Sequence, residues 1–155
     1  ELAFFSGMTE KEIEKILAYA LLKEYPRDKV VIAEGKVSKV LSIIYSGQFK
    51  IVKSISANDQ KIITTISDGE TYGEMSFFDH YPPSVSVVST DNAKVLELDE
   101  MGFNVLVQEN PQLGIKILTH LMYVTNSRIR ALNDQITSLG NWVLQSRQQL
   151  RPSHA

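Results

Sequence analysis

Between Val30 and Leu98 the chain is a succession of short β-prone runs, each soon cut off by turn residues, and nothing else in it limits the fold so strongly. The runs are Val30–Ile32, Leu41–Tyr45, Gln48–Ile55, Lys61–Ile66, Val85–Val88 and Val95–Leu98. They are rich in the β-branched and aromatic side chains that suit a pleated, half-buried surface. The breaks are Glu34-Gly35, Ser46-Gly47, Ala57-Asn58-Asp59, Asp68-Gly69 and the loop from Asp79 to Pro83. Many short strands joined by glycine turns make a sandwich, roll or barrel rather than a sheet of strand–helix–strand units.

Helical periodicity flanks this region on both sides. Thr9 and Glu12 have the spacing of a capping box, and Ile13, Ile16, Leu17, Ala20 and Leu21 recur on one helical face before Pro26. The spacing predicts an amphipathic helix over 9–23. After Asp99 the helical period returns, and Pro111 suits a helix start, where its missing N–H would have had no partner. From there Ile115, Leu118, Met122, Thr125, Ile129, Leu132, Ile136, Leu139, Val143, Ser146 and Leu150 alternate three and four apart, as in a heptad seam. Residues 112–122 are expected to pack on the β region. The stripe over 125–150 exceeds what so small a β domain can cover, and is expected to pair with a second copy. Ile129, Ile136 and Val143 at one seam position, with Leu132 and Leu139 at the other, favour a two-stranded homodimer. Gly140 is expected to loosen or stop the coil. Arg128, Arg130, Arg147 and Arg151 read as solvated flanking charges.

Composition removes several function classes. The 155 residues, 43% hydrophobic, suffice for one core plus a long helix without metal or disulfide support. Cysteine is absent, which excludes disulfides, thiolate metal sites and cysteine nucleophiles. A net charge of −2 provides no basic field for nucleic acid. No stretch approaches the roughly 18 apolar residues of a membrane span, and the first residues lack the basic and apolar regions of a signal peptide. A cytoplasmic protein is expected. Nucleophile-elbow, P-loop and zinc-protease motifs are missing, so no enzyme is expected. His80, His120 and His154 are too scattered for a metal site, while Asp91, Glu97, Asp99 and Glu100 read as turn and solvated residues.

The segment from Gly73-Glu74-Met75-Ser76-Phe77-Phe78 through Pro82-Pro83-Ser84-Val85 resembles the phosphate-binding cassette of the cyclic-nucleotide-binding family. That family includes catabolite-activator-type regulators, protein kinase A regulatory subunits and gated channels. Its glycine turns match Glu34-Gly35, Ser46-Gly47 and Asp68-Gly69. Its last strand matches Val95–Asp99, and its entry to the long helix matches Glu109-Asn110-Pro111. The resemblance implies a mainly β, double-stranded β-helix (jelly-roll-like) β-roll with flanking helices over 1–110. A long C-terminal dimerisation helix would occupy 111–151. It further implies a non-catalytic sensor, without cofactor, whose ligand is cyclic AMP or cyclic GMP. Glu74 would take the ribose 2′-hydroxyl, Gly73 and Met75 would lend backbone, and Ser84, beside Val85, would meet the phosphate. Ser127 or Arg128 on the long helix would face the pocket. The family's transcription regulators continue into a helix-turn-helix domain about where this chain stops, so DNA binding by this chain is not expected.

One position departs from that pattern. Pro83 stands where the family carries its phosphate-binding arginine, and there is no arginine between Arg27 and Arg128. An ion-paired hydrogen bond is worth about 1.5–3 kcal/mol. Its loss weakens a cyclic nucleotide by about ten- to a hundredfold. Pro82-Pro83 also fixes two φ angles and removes two amide donors, stiffening the loop. Two outcomes stay open: a pocket that takes a less acidic ligand or holds a cyclic nucleotide weakly, or one filled by Tyr72, Phe77, Phe78 and Tyr81. His80 is either a loop histidine without a role or, when protonated, a partial replacement for the lost charge.

Overall fold

The computed structural model describes residues 2–56 and 59–149, which fall into two compact units, Glu1–Ile115 and Lys116–Ala155. The turn at Ala57-Asn58, the last seam residue Leu150, Arg151 and His154 lie outside the described residues.

Among the described residues, eight strands form two antiparallel four-stranded sheets. The first runs β1 (Ala20–Tyr25), β8 (Ala93–Asp99), β3 (Val40–Ser46) and β6 (Thr71–Tyr72). The second runs β2 (Val30–Ile32), β7 (Ser86–Ser89), β4 (Phe49–Ser56) and β5 (Asp59–Ile66). Apart from the β4–β5 hairpin, strand neighbours are remote in sequence, as in a roll, and all six runs recognised in the sequence are strands.

Alternation explains where the core lies. Ile44, Tyr72, Ala93 and Val95 from the first sheet meet Ile32, Phe49, Ile66 and Val87 from the second between the sheets. Leu41, Ile43, Leu96 and Leu98, on the other face of the first sheet, are buried too. The helices cover that face. Lys15 and Tyr19 reach Asn110 and Glu109 respectively, the latter at 2.6 Å, tying the N-terminal segment to α3 (Glu100–Glu109). Asp99 caps α3 by accepting from Gly102 N at 2.7 Å. Gly47 turns β3 into β4 with φ +106°, and a Cβ there would sit 2.7 Å from that of Ala93. Only glycine lets this turn close on the start of β8.

Helix α1 spans Glu10–Leu17, with the capping box of Thr9 and Glu12 formed as expected. It does not continue to residue 23. Ala20–Tyr25 instead pairs along its length with Ala93–Leu98. Leu21 therefore projects from a strand and is exposed, while Ile16 alone of that stripe is fully buried. Strand pairing with a remote segment outweighs the local helical period. A further short helix, α2 (Glu74–Asp79), was not foreseen.

The long helix α4 is Pro111–Gln149, starting at the expected proline. Leu113, in the part belonging to the first unit, is buried. Gly140 does not end the helix, since about 1 kcal/mol of lost propensity is small against 39 residues of continuous hydrogen bonding. Ile129, Leu132, Ile136, Leu139 and Val143 are 43–66% exposed. No helix among the described residues is long and apolar enough to cross a membrane.

Candidate functional site

Gly73 begins the site. It follows the two-residue strand β6 and adopts φ +87°, and a Cβ there would lie 2.6 Å from the Val40 carbonyl oxygen. Glycine alone permits both the left-handed turn and the close approach to β3. Gly73 is also the N-cap of α2, and its carbonyl accepts from Phe77 N at 3.0 Å. Glu74 occupies the first turn and is 8% exposed, whereas Met75 points into solvent. Ser76 is buried and its hydroxyl accepts from Ser38 N at 3.1 Å. Phe77 and Phe78 stack edge-on with each other and with Phe103, holding α2 against α3.

Helix α2 ends at His80, itself left-handed at φ 57°. His80 Nε2 lies 3.7 Å from Glu100 Oε1, and Lys39 Nζ is 3.3 Å from the same carboxylate. The histidine thus faces the start of α3. Beyond it the diproline loop is pinned to two other segments. The Pro83 carbonyl accepts from Gly35 N at 2.9 Å, and the Ser84 carbonyl accepts from Lys53 Nζ at 2.7 Å. Ser86, at the start of β7, accepts on its hydroxyl from Glu34 N at 2.9 Å.

Glu34 and Lys53 complete this corner. Lys53 Nζ lies 2.5 Å from Glu34 Oε1, and Ser54 N donates to Glu34 Oε2 at 3.1 Å. The hydrogen bond from Lys53, then that from Ser54, holds the Glu34 carboxyl below the usual carboxylate range. A cation therefore does stand beside the cassette, supplied by β4 rather than by position 83. Sequence reasoning missed it. Its signal is slight: Lys53 is two residues past Ile51, which packs on the core, but the buried Val52 between them breaks the alternation that would have marked it.

The sites expected from the sequence divide accordingly. Gly73, Glu74, Met75, Pro83, Ser84 and Val85 lie in one continuous α2–loop–β7 segment. Ser84 is exposed and its hydroxyl makes no hydrogen bond among the described residues. Ser127 and Arg128 lie on α4 in the other compact unit, Ser127 exposed and Arg128 partly buried. Of the residues considered as pocket filling, Tyr72 and Phe77 are buried while Phe78 and Tyr81 are exposed. Tyr72 packs on Phe49 with ring centres 5.3 Å apart.

Glu97 is a correction. Rather than a solvated acid, it is buried on the inner face of β8, where the Tyr25 hydroxyl donates to Oε1 and Lys23 Nζ lies 2.8 Å from Oε2. The Tyr72 hydroxyl lies near Ser42, its strand partner, without reaching hydrogen-bond geometry. Burial, then the bond to Glu97, raises the Tyr25 phenol well above its ordinary value; burial does the same to Tyr72. In the unfolded chain both ionise near pH 10. Their contribution to stability is whole below that pH and is lost as pH rises from there towards the folded values. Urea unfolding at increasing alkaline pH should show stability falling more steeply in the parent than in a Tyr25→Phe/Tyr72→Phe variant. Parallel curves would refute this.

The pattern of the cyclic nucleotide-binding domain family matches residues 22–110. The chain is 24% identical over 107 residues to the cyclic AMP receptor protein of Thermus thermophilus, covering 69% of this chain and 50% of that protein. It is 30% identical over 107 residues to the cAMP-dependent protein kinase regulatory subunit of Blumeria graminis, covering 69% and 26%. The fold superposes on a cyclic nucleotide-binding domain from Methylobacillus flagellatus with a TM-score of 0.79, at 27% identity, covering 86% of this chain and 75% of that one. The chain spans about half the length of the curated relatives it matches.

Proposed function

This chain belongs to the cyclic nucleotide-binding domain family, and from that premise we propose that it is a non-catalytic sensor module which takes a cyclic nucleotide weakly at the Gly73–Val85 segment. Its state is signalled through a homodimer formed by α4. The observation that carries this is the cassette geometry: a left-handed Gly73, a buried Glu74 at the start of α2, and an exposed Ser84 beside a cation. Glycine amides, a carboxylate and a hydroxyl are the groups a ribose cyclic phosphodiester requires. Pro83 makes the binding weak, because Lys53 is a point charge already paired with Glu34, whereas an arginine fork is bidentate. Signalling requires the ligand to favour one of two arrangements of sensor and helix. The module acts in the cytoplasm, without nucleic acid or membrane as partner of this chain.

A second reading, a dimerisation scaffold that binds no ligand, draws on Tyr72 and Phe77 being buried and on the Glu34–Lys53 pair. Calorimetry and thermal unfolding with cyclic AMP and cyclic GMP separate the two. Weak, saturable binding with a small upward shift of the unfolding midpoint is expected for the sensor. A flat response at all concentrations favours the scaffold, and tight binding refutes the role given to Pro83.

A further inference from the structure

We propose that Lys53 is the group that meets the anion of a ligand at this site, and that Glu34 is its resident counter-ion, which the ligand displaces. This rests on the cassette being a cyclic-nucleotide site and names the residue that takes the phosphodiester. Lys53 follows Phe49 and Ile51 on one face of β4, and its side chain, 44% exposed, turns its ammonium to acceptors at the cassette. Its ammonium donates to the Ser84 carbonyl at 2.7 Å and to Glu34 Oε1 at 2.5 Å, leaving one of its three donors. The Ser84 hydroxyl, without a hydrogen bond among the described residues, belongs to the same residue whose carbonyl Lys53 holds.

A second cation strengthens the case. Lys61 on β5 is the direct partner of Lys53 across the β4–β5 ladder, so both side chains leave the same face of the sheet. Like charges directly opposite are unfavourable, so this ladder position carries positive charge beyond what the Lys53–Glu34 pair cancels. A singly charged anion neutralises it. Strand β5 is exposed from Asp59 to Thr65, so this face is open to a ligand. The same Glu34 carboxylate, held ionised by Lys53 and Ser54, competes with that anion. The cassette is thus self-neutralised, with its cation present and engaged.

The test is calorimetric titration of the full chain with cyclic AMP and cyclic GMP, with circular dichroism as the check on folding. Glu34→Gln should tighten binding about tenfold, by releasing a charge-assisted hydrogen bond from Lys53. Adding Lys53→Met to that variant should remove the gain, and adding Lys53→Arg should keep it. If Glu34→Gln/Lys53→Met binds as tightly as Glu34→Gln, the assignment of Lys53 is wrong. If Pro83→Arg binds but Glu34→Gln is no tighter than the parent, this proposal falls and the cassette reading stands. If no variant binds either nucleotide, Pro83→Arg included, both fall. Should the methionine variant not fold, the comparison of Glu34→Gln with the parent decides.

Discussion

Pro83→Arg is expected to bind cyclic AMP or cyclic GMP about ten- to a hundredfold more tightly than the parent, the range corresponding to about 1.5–3 kcal/mol for one charge-assisted hydrogen bond. The backbone tolerates the change. The Pro83 carbonyl, which accepts from Gly35 N at 2.9 Å, is kept, and proline has no N–H whose partner would be lost. What is added is a planar fork of five donors, able to grip two phosphate oxygens where Lys53 reaches one. Two features pull the gain toward the lower end of the range. The new guanidinium stands near the Lys53 ammonium, 2.7 Å from the adjacent Ser84 carbonyl, and Glu34 can pair with either cation. Combining Pro83→Arg with Glu34→Gln should therefore give more than either alone, since the two changes act on one charge cluster and are not independent. Calorimetry of the two single variants and the double measures this coupling. Equal affinity in parent and Pro83→Arg would show that position 83 does not limit the site.

Six of the strands between Val30 and Leu98 are legible because each carries its own signal, a β-rich run closed by a turn. What escaped was structure created by partners. Residues 20–23 look helical locally, Ala20 and Leu21 being in phase with Ile16 and Leu17, yet their hydrogen bonds go to β8. Strand β6 has only two residues, and exists because Thr71 and Tyr72 face Ile43 and Ser42. Helix α2 is six residues long with no side-chain cap, so neither period nor capping announces it. The site follows the same rule. Gly73, Glu74 and Ser84 stand in an ordered motif within one segment and could be picked out by resemblance. The pair that sets the local charge comes from elsewhere, Lys53 being 19 residues from Glu34 and 31 from Ser84. Glu97 reads as a solvated acid until Tyr25 and Lys23 arrive from β1. Contacts across such distances depend on sheet order, which no local pattern encodes.

Ile136→Lys should convert the homodimer we propose for this chain into a monomer at concentrations where the parent is paired. Ile129, Ile136 and Val143 recur every seven residues, with Leu132 and Leu139 between them, so all five share one stripe of α4. Every one of them is at least 43% exposed, an amount of apolar surface that a partner helix would cover. Fully burying such a side chain is worth about 1.5–3 kcal/mol. A central substitution removes that from both copies at once and brings two ammoniums together across the seam. The dimer constant should weaken by about a hundredfold or more. Asn141, two positions past Leu139 and on the face away from the stripe, provides the control. Asn141→Lys adds the same charge to the same helix and should leave the association unchanged, which separates loss of the seam from loss of helix stability. Sedimentation velocity over a concentration series reads both variants against the parent. A parent that is monomeric throughout, or an Ile136→Lys variant that still pairs, would remove α4 as the route by which one copy senses the other.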